Sequence, residues 1–170
     1  MSAPGEIRLG AAVRGQILAH ARAALPNEAC GLLAGSTATG LARAFHPARN
    51  ADASPYRFTL DPDDLVRITF AMERAGDELL AIVHAHPRTA AEPSPTDRRA
   101  AQLYPGTPQL IVNPSAGAAA ALRAWRIGPD AVEEVAVRIG QLPASASMTS
   151  PLARSTITSR RGDPSSPPER

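Results

Sequence analysis

The spacing of apolar residues along the chain predicts three helices. Apolar side chains recur at helical spacing over residues 13–25, and Pro26 ends that pattern. A second helix is predicted over residues 61–76, because an aspartate and a proline open it, further acids follow and a glycine closes it. A third and shorter helix is predicted over residues 95–103. The second helix looks purely structural.

Short apolar runs between these helices predict strands. They cover residues 7–9, 30–35, 41–46, 56–60, 79–84, 109–112, 120–127 and 132–139. The run at 79–84 is continuously apolar, as in a strand buried on both faces. Strands and helices alternate irregularly, which predicts a mixed α/β domain of α+β character or with three α/β/α layers, built on a central mixed β-sheet flanked by helices.

Composition divides the chain into a domain and a tail. With 170 residues, of which 44% are hydrophobic, the chain can bury one good core. From Leu142 onward Pro, Ser, Thr, Arg and Gly dominate, and five of the 17 prolines lie there. We therefore predict one folded domain over residues 1–141 and a disordered tail over residues 142–170.

Charge and cysteine content narrow the class of protein. All 18 positively charged side chains are arginines, and the tail holds four of them with two acids, so the remaining 14 arginines and 14 acids of residues 1–141 cancel. The sequence contains no basic stripe with interleaved aromatic residues, so we do not expect nucleic acid as a partner. The chain has no stretch of about 18 apolar residues, so we expect no membrane insertion. A single cysteine, Cys30, and an N-terminus without a secretion signal predict a cytoplasmic protein.

Two histidines at the end of the apolar run at 79–84 are the strongest chemical signal. Because successive side chains of a strand point to opposite faces, His84 and His86 project from the same face. A carboxylate from Asp97 would add one oxygen to the two imidazole nitrogens and leave a fourth tetrahedral position for water. That ligand set is typical of a catalytic zinc site. By themselves, however, histidines at a strand end often form only local hydrogen bonds.

The segment Ser94-Pro95-Thr96-Asp97 also has a purely structural interpretation. A serine at the N-cap, a proline at the first helical position and an acid at the third resemble a capping box. The two interpretations are compatible, because a helix start is a rigid place from which to direct both Ser94 and Asp97.

Other polar residues have competing interpretations. Glu28 lies in the turn before the strand predicted at 30–35, a position that by itself favours an exposed glutamate. Ser94 could be a nucleophile activated by a histidine, although it lacks the Gly-x-Ser-x-Gly turn of one common class of hydrolase. Cys30 is better explained as a small buried residue than as a nucleophile. His20 and His46 have no evident partner, and we expect them to be surface or packing residues.

Three segments of the chain together resemble a known family. They are His84-Ala85-His86-Pro87, the Ser94-Pro95-Thr96-Asp97 that follows after seven residues from His86, and the upstream run PNEACGLLAG at residues 26–35. In combination they resemble the JAMM (MPN-type) zinc metallopeptidases over about residues 7–139. Ala85 departs from the family pattern, which usually has Ser or Thr there, but its side chain should point away from the metal.

The resemblance implies a fold, a cofactor and residue roles. The implied fold is the cytidine-deaminase-like JAMM/MPN architecture, and the implied cofactor is one Zn²⁺ per chain. His84, His86 and Asp97 are expected to bind the zinc. Glu28 is expected to be the acid/base catalyst, and Ser94 is expected to assist at the oxyanion.

The chain is similar to the small bacterial branch of the family. It resembles enzymes that release cysteine from the C-terminal Gly-Gly of a ubiquitin-fold sulfur-carrier protein in cysteine biosynthesis. The expected partner is such a sulfur carrier or modifier, with its tail laid along the sheet as an added strand. Two alternatives stay open: an isopeptidase or precursor-processing peptidase for another ubiquitin-like modifier, and a non-catalytic MPN-type interaction module.

Overall fold

The computed structural model describes residues 5–118 and 120–140. In chain order the described elements are β1 Glu6–Gly10, α1 Ala11–Ala23, β2 Cys30–Ser36, β3 Leu41–Ala48, α2 Pro62–Ala75, β4 Glu78–Ala85, α3 Pro95–Ala100, a 3₁₀ turn Ala101–Leu103, β5 Gln109–Val112, β6 Leu122–Ile127 and β7 Val132–Gly140. All three predicted helices and seven of the eight predicted strands are present. The domain boundary at residue 141 and the predicted disordered tail fall on residues outside the described part.

The strands form one mixed sheet whose two ends meet. Its order is β1-β3-β2-β4-β5-β6-β7, and β1 closes it by pairing with β7 on one side and with β3 on the other. β4 lies in the middle of the sheet, antiparallel to β2 and parallel to β5. The predicted central mixed sheet flanked by helices is therefore confirmed, and closure into a barrel is an addition to it.

Two apolar clusters cover the two faces of the sheet. On one face Ile17 of α1 packs in a cluster with Val83 and Ala85 of β4. On the other face Ile68 of α2 packs in a cluster with Ile82 of β4. Alternate residues of β4 therefore face the two helices. Among the described residues, no helix has both the length and the apolar content needed to cross a bilayer.

The prediction of a strand over residues 56–60 is wrong. In that segment only Leu60 forms a β-bridge, an isolated one with Asn50. Two other backbone groups of the segment bond to a side chain: the Thr59 N–H donates to Asn50 Oδ1, and Asn50 Nδ2 donates to the Arg57 carbonyl. A side chain that satisfies the backbone in this way competes with a strand partner. Residues 51–59 consequently form a loop.

The start of α2 allows a direct test of the helix signals. The Asp61 carboxylate accepts hydrogen bonds from the Asp63 and Asp64 amides, so we expect Asp61→Ala to lower the free energy of unfolding by about 0.5–2 kcal/mol. Urea denaturation measures the loss. Because Asp61 also pairs with Arg49, the control is Asp61→Asn, which keeps an acceptor for both amides and removes the charge. Equal losses in the two variants would show that the ion pair, and not the cap, stabilises the helix.

Candidate active site

β4 delivers two buried histidines to one face of the sheet. His84 is 0% exposed and His86 4% exposed, and their ring centroids are 5.1 Å apart. Ala85 between them packs in the cluster under α1, on the opposite face. The alternation predicted from the sequence is therefore confirmed, and the Ala85 side chain points away from the histidines.

The start of α3 brings a carboxylate to the same place. Ser94 is the N-cap, its Oγ accepts from the Asp97 amide at 3.2 Å, and Asp97 Oδ2 accepts from the Ser94 amide at 2.7 Å. The capping box predicted from the sequence is thus present. Asp97 is nevertheless buried, with 3% exposure, and its carboxylate reaches the histidines. The cap and the cluster use the same side chain.

The two histidines and Asp97 form a compact group of potential ligands. His84 Nε2 lies 3.4 Å from Asp97 Oδ1, and His86 Nε2 lies 3.2 Å from Asp97 Oδ2. One ligand atom from each residue lies within 4.8 Å of the others. The structure therefore brings together the three residues that the sequence predicted as metal ligands.

The hydrogen bonds around these rings fit a metal ion. His86 Nδ1 lies 3.0 Å from the Ala90 carbonyl, and because a carbonyl only accepts, Nδ1 carries a proton, which leaves Nε2 as the nitrogen that could bind a metal ion. A metal-binding histidine typically makes this type of outer bond. His84 forms no hydrogen bond through either ring nitrogen to the described residues. Leaving a buried polar atom unpaired costs about 1–3 kcal/mol. Coordination of one His84 nitrogen would remove that cost for this nitrogen.

The charge states also suit cation binding. Burial lowers the pKa of His84, so its imidazole is neutral near pH 7 and can act as a ligand. Burial alone would raise the pKa of Asp97, but contacts with His84, His86 and Ser94 hold it well below its usual range. Asp97 is therefore an anion. The ring of His84 is held in place by Phe58, which stacks on it with centroids 4.5 Å apart and planes 20° apart.

Glu28 is buried beside this cluster. It is 5% exposed, and its Oε2 has no hydrogen-bond partner among the described residues. Burial raises the pKa of Glu28 to about 7; His86 opposes the rise and Asp97 adds to it. Glu28 is thus electrostatically linked to two members of the cluster. The interpretation of Glu28 as an exposed turn residue is therefore wrong. A carboxyl group with a pKa of about 7 suits proton transfer near neutral pH.

Asn50 holds the main chain at Glu28, and the sequence analysis missed it. Its Nδ2 donates to the Glu28 carbonyl at 3.1 Å, and its Oδ1 accepts from the Asp52 and Thr59 amides. In return, the Glu28 amide donates to the carbonyl of Ser54 in the same loop. The sequence signal was the pair Asn50 and Asp52, two residues that favour turns. The loop they form also carries Phe58.

The competing nucleophiles receive no support from the geometry. Ser94 Oγ accepts from a backbone amide, and no described histidine nitrogen is hydrogen-bonded to it. Burial, with Asp64, Glu28 and Asp61 nearby, raises the pKa of the Cys30 thiol to about 12, so thiolate is scarce near pH 7. His20 packs against Phe45 and bonds to the Cys30 carbonyl, as expected for a packing residue.

Comparisons with known proteins agree with this geometry. A family profile described as prokaryotic homologs of the JAB domain matches residues 10–128. The desampylase of Haloferax volcanii is 40% identical over 113 residues, which are 64% of this chain and 81% of that protein. The CysO-cysteine peptidase of Mycobacterium tuberculosis is 35% identical over 123 residues, which are 72% of this chain and 84% of that protein. A solution structure of a protein from Desulfitobacterium hafniense has a TM-score of 0.74 and 33% identity, covering 81% of this chain and 95% of that one.

The family match contains every residue of the candidate site. Glu28, His84, His86, Ser94 and Asp97 all lie within residues 10–128. One of the two relatives is named a desampylase and the other a peptidase. The chain therefore belongs to the family of prokaryotic JAB-domain homologues and is a hydrolase of the JAMM type.

Proposed function

We propose that this protein is a zinc-dependent peptidase that hydrolyses the amide bond after the C-terminal Gly-Gly of a ubiquitin-like protein, releasing cysteine from a sulfur-carrier protein. One observation carries the proposal: the Glu28 carboxyl group is buried and lies close enough to His86 and Asp97, two members of the potential metal cluster, for their charges to act on its pKa. A structural cluster would not need an adjacent, unpartnered carboxyl group with a pKa near neutrality. An acid/base catalyst does.

The residues divide into metal ligands and groups that move protons. His84, His86 and Asp97 would hold the ion, which would supply polarisation of a carbonyl oxygen and acidification of water. Glu28 accepts a proton from the attacking water and passes it to the leaving amine. Ser94 Oγ accepts a hydrogen bond from the Asp97 amide, so its own proton is available for the developing oxyanion.

The assignment of a ubiquitin-like substrate draws on the relatives. The name of the Mycobacterium relative describes a bond between CysO and cysteine, and this chain matches 84% of that relative's length. The tail of the carrier cannot insert between β2 and β4, because each of these strands is already paired on both sides. A tail that binds in extended form must instead pair with a segment outside these two strands, such as the loop of residues 51–59 that borders Glu28 and His84.

An exposed arginine favours an amino acid as the leaving group. Arg88 follows His86 by two residues, and its Nη1 donates to the Tyr56 hydroxyl at 3.0 Å. Tyr56 lies on the same loop as Phe58, which stacks on His84. In a bond to cysteine the α-carboxylate is separated from the scissile nitrogen by a single carbon. In an isopeptide bond the scissile nitrogen lies at the end of the lysine side chain, far from the lysine main chain. We assign Arg88 the recognition of this carboxylate.

Glu28→Gln tests the acid/base role. The amide cannot accept the proton, so kcat should fall about 10²- to 10⁴-fold, while zinc content stays at the wild-type level. Steady-state kinetics and elemental analysis measure the two quantities. Glu73→Gln, on the exposed face of α2, is the matched control and should be fully active. A fully active Glu28→Gln enzyme would remove Glu28 from the mechanism.

Asp97→Asn separates the ligand role from the capping role. An asparagine oxygen can still accept from the Ser94 amide, so the start of α3 should persist, but the lost negative charge should weaken zinc affinity at least about tenfold. Competition with a chromophoric chelator measures the affinity, and circular dichroism monitors the fold. Asp63→Asn, which is exposed, is the control. Unchanged zinc affinity in Asp97→Asn would mean that the cluster is not the metal site.

The mass of the products decides between substrates. The protein is incubated with a sulfur-carrier protein that bears a C-terminal cysteine and, separately, with a lysine-linked conjugate, each with and without chelator. We expect chelator-sensitive release of cysteine. Arg88→Gln should slow this release about tenfold, the effect of losing one hydrogen bond to a charged group, and should leave the lysine-linked conjugate unaffected. The control is Arg74→Gln, at the exposed end of α2.

Release from the lysine-linked conjugate alone would overturn the cysteine assignment and leave an isopeptidase. No cleavage of either substrate by zinc-loaded protein would contradict the proposed function itself.

A further inference from the structure

The His86 ring is oriented in part by a backbone carbonyl in the loop that follows it. Besides its contact with Asp97, the His86 ring bonds through Nδ1 to the Ala90 carbonyl. The same carbonyl accepts from the Glu92 amide at 2.8 Å. The loop of residues 87–93 therefore supplies the acceptor for the Nδ1 side of this ring.

Three side chains from β6 and the end of β5 hold that loop on either side of Ala90. Asn113 Nδ2 donates to the Thr89 carbonyl at 2.8 Å, and Trp125 Nε1 donates to the Ala91 carbonyl at 2.8 Å. Arg123 Nη1 pairs with Glu92 Oε1 at 2.6 Å. We call Asn113, Arg123 and Trp125 the loop clamp.

The Arg123 side chain of the clamp has further contacts within the sheet. The Arg123 guanidinium lies 4.4 Å from the centre of the Trp125 ring. Its Nε and Nη2 both donate to the Glu134 carboxylate on β7, at 2.9 and 3.0 Å. An arginine fixed by a fork to one carboxylate and by stacking on an indole loses few rotamers when it binds a second carboxylate. The position of Glu92, and through it of the Ala90 carbonyl, is therefore set by the sheet.

We propose that Trp125 and Arg123 are positioning residues for the metal ligand His86, acting through the carbonyl of Ala90. The proposal rests on the proposed function, in which His86 binds zinc. Fixing the ring proton on Nδ1 leaves Nε2 as the ligand atom. Outer-shell groups of this kind typically change metal affinity about 10- to 100-fold.

Trp125→Phe, Arg123→Gln and Glu92→Gln test the clamp by zinc affinity. Trp125→Phe keeps the ring and removes the N–H that bonds to Ala91, and the other two variants break the pair between residues 123 and 92. We expect zinc dissociation constants about 10- to 100-fold above wild type for Trp125→Phe and Arg123→Gln. Competition with a chromophoric chelator measures them without any substrate. Thermal unfolding of the metal-free proteins shows whether the fold is kept.

Arg138→Gln is the matched control, because Arg138 pairs with Glu6 on the neighbouring strand β1 and should leave zinc affinity unchanged. The double variant Arg123→Gln/Glu92→Gln should lose no more than the worse of the two single variants, since both break one interaction.

The possible results distinguish the clamp from the proposed function. If wild-type protein does not bind zinc, the proposed function fails. If wild-type protein binds zinc and the clamp variants bind it within twofold of wild type, the clamp inference fails and the proposed function stands. Lower thermal stability with unchanged zinc affinity would show a structural role only, and would also contradict the inference. Should Trp125→Phe not fold, Arg123→Gln and Glu92→Gln decide the question.

Discussion

The antiparallel pairing of β2 with β4 is the constraint on which the site depends. In its register Cys30 lies opposite His84, and the Ala85 amide donates to the Ala29 carbonyl. This pairing places Glu28, which comes directly before Ala29, at the end of β4 where His84 and His86 project. Because side chains alternate along a strand, a slip of one residue would turn both histidines into the apolar cluster under α1. The two helices that cover the sheet disfavour that slip, since it would also remove Val83 and Ala85 from the cluster under α1.

Close packing of β2 against its other neighbour is part of the same constraint. A Cβ on Gly31 would lie 2.5 Å from the His46 carbonyl and 2.7 Å from the Phe45 ring, so only glycine fits that position. Gly31 follows Glu28 by three residues, and a shift of β2 to relieve such a clash would move the glutamate with it. The small residues of the Cys-Gly-Leu-Leu run therefore do more than fill a core. They allow three strands to approach closely at the point where Glu28, His84 and His86 converge.

The site combines polar groups that are costly to bury. Four polar side chains are buried in it: Glu28, His84, His86 and Asp97. Some of their polar atoms contact one another, and others have no hydrogen-bond partner among the described residues. Such an arrangement is unfavourable for stability alone, because buried charges need compensation. The surrounding structure supplies part of it: the helix start at Ser94 donates to Asp97, the Asn50 loop fixes the backbone of Glu28, and the clamp on the 87–93 loop orients His86. A bound cation would supply the rest.

The sequence by itself determined the three helices and seven of the strands, and it indicated which residues could bind a metal. Apolar periodicity and capping residues identified all three helices, and the spacing of His84, His86 and Asp97 indicated a metal site, because these signals are local and follow from backbone geometry. It did not determine the loop of residues 51–59, where alternating apolar residues imitated a strand while Asn50 satisfied the backbone. Nor could it decide whether Glu28 was an exposed turn residue or part of the site without appeal to a resemblance. Only the tertiary structure decided that Glu28 is buried and has a raised pKa, because both properties arise from contacts between segments far apart in the chain. The contacts of Trp125 and Arg123 with the 87–93 loop are equally non-local, and the sequence did not indicate them.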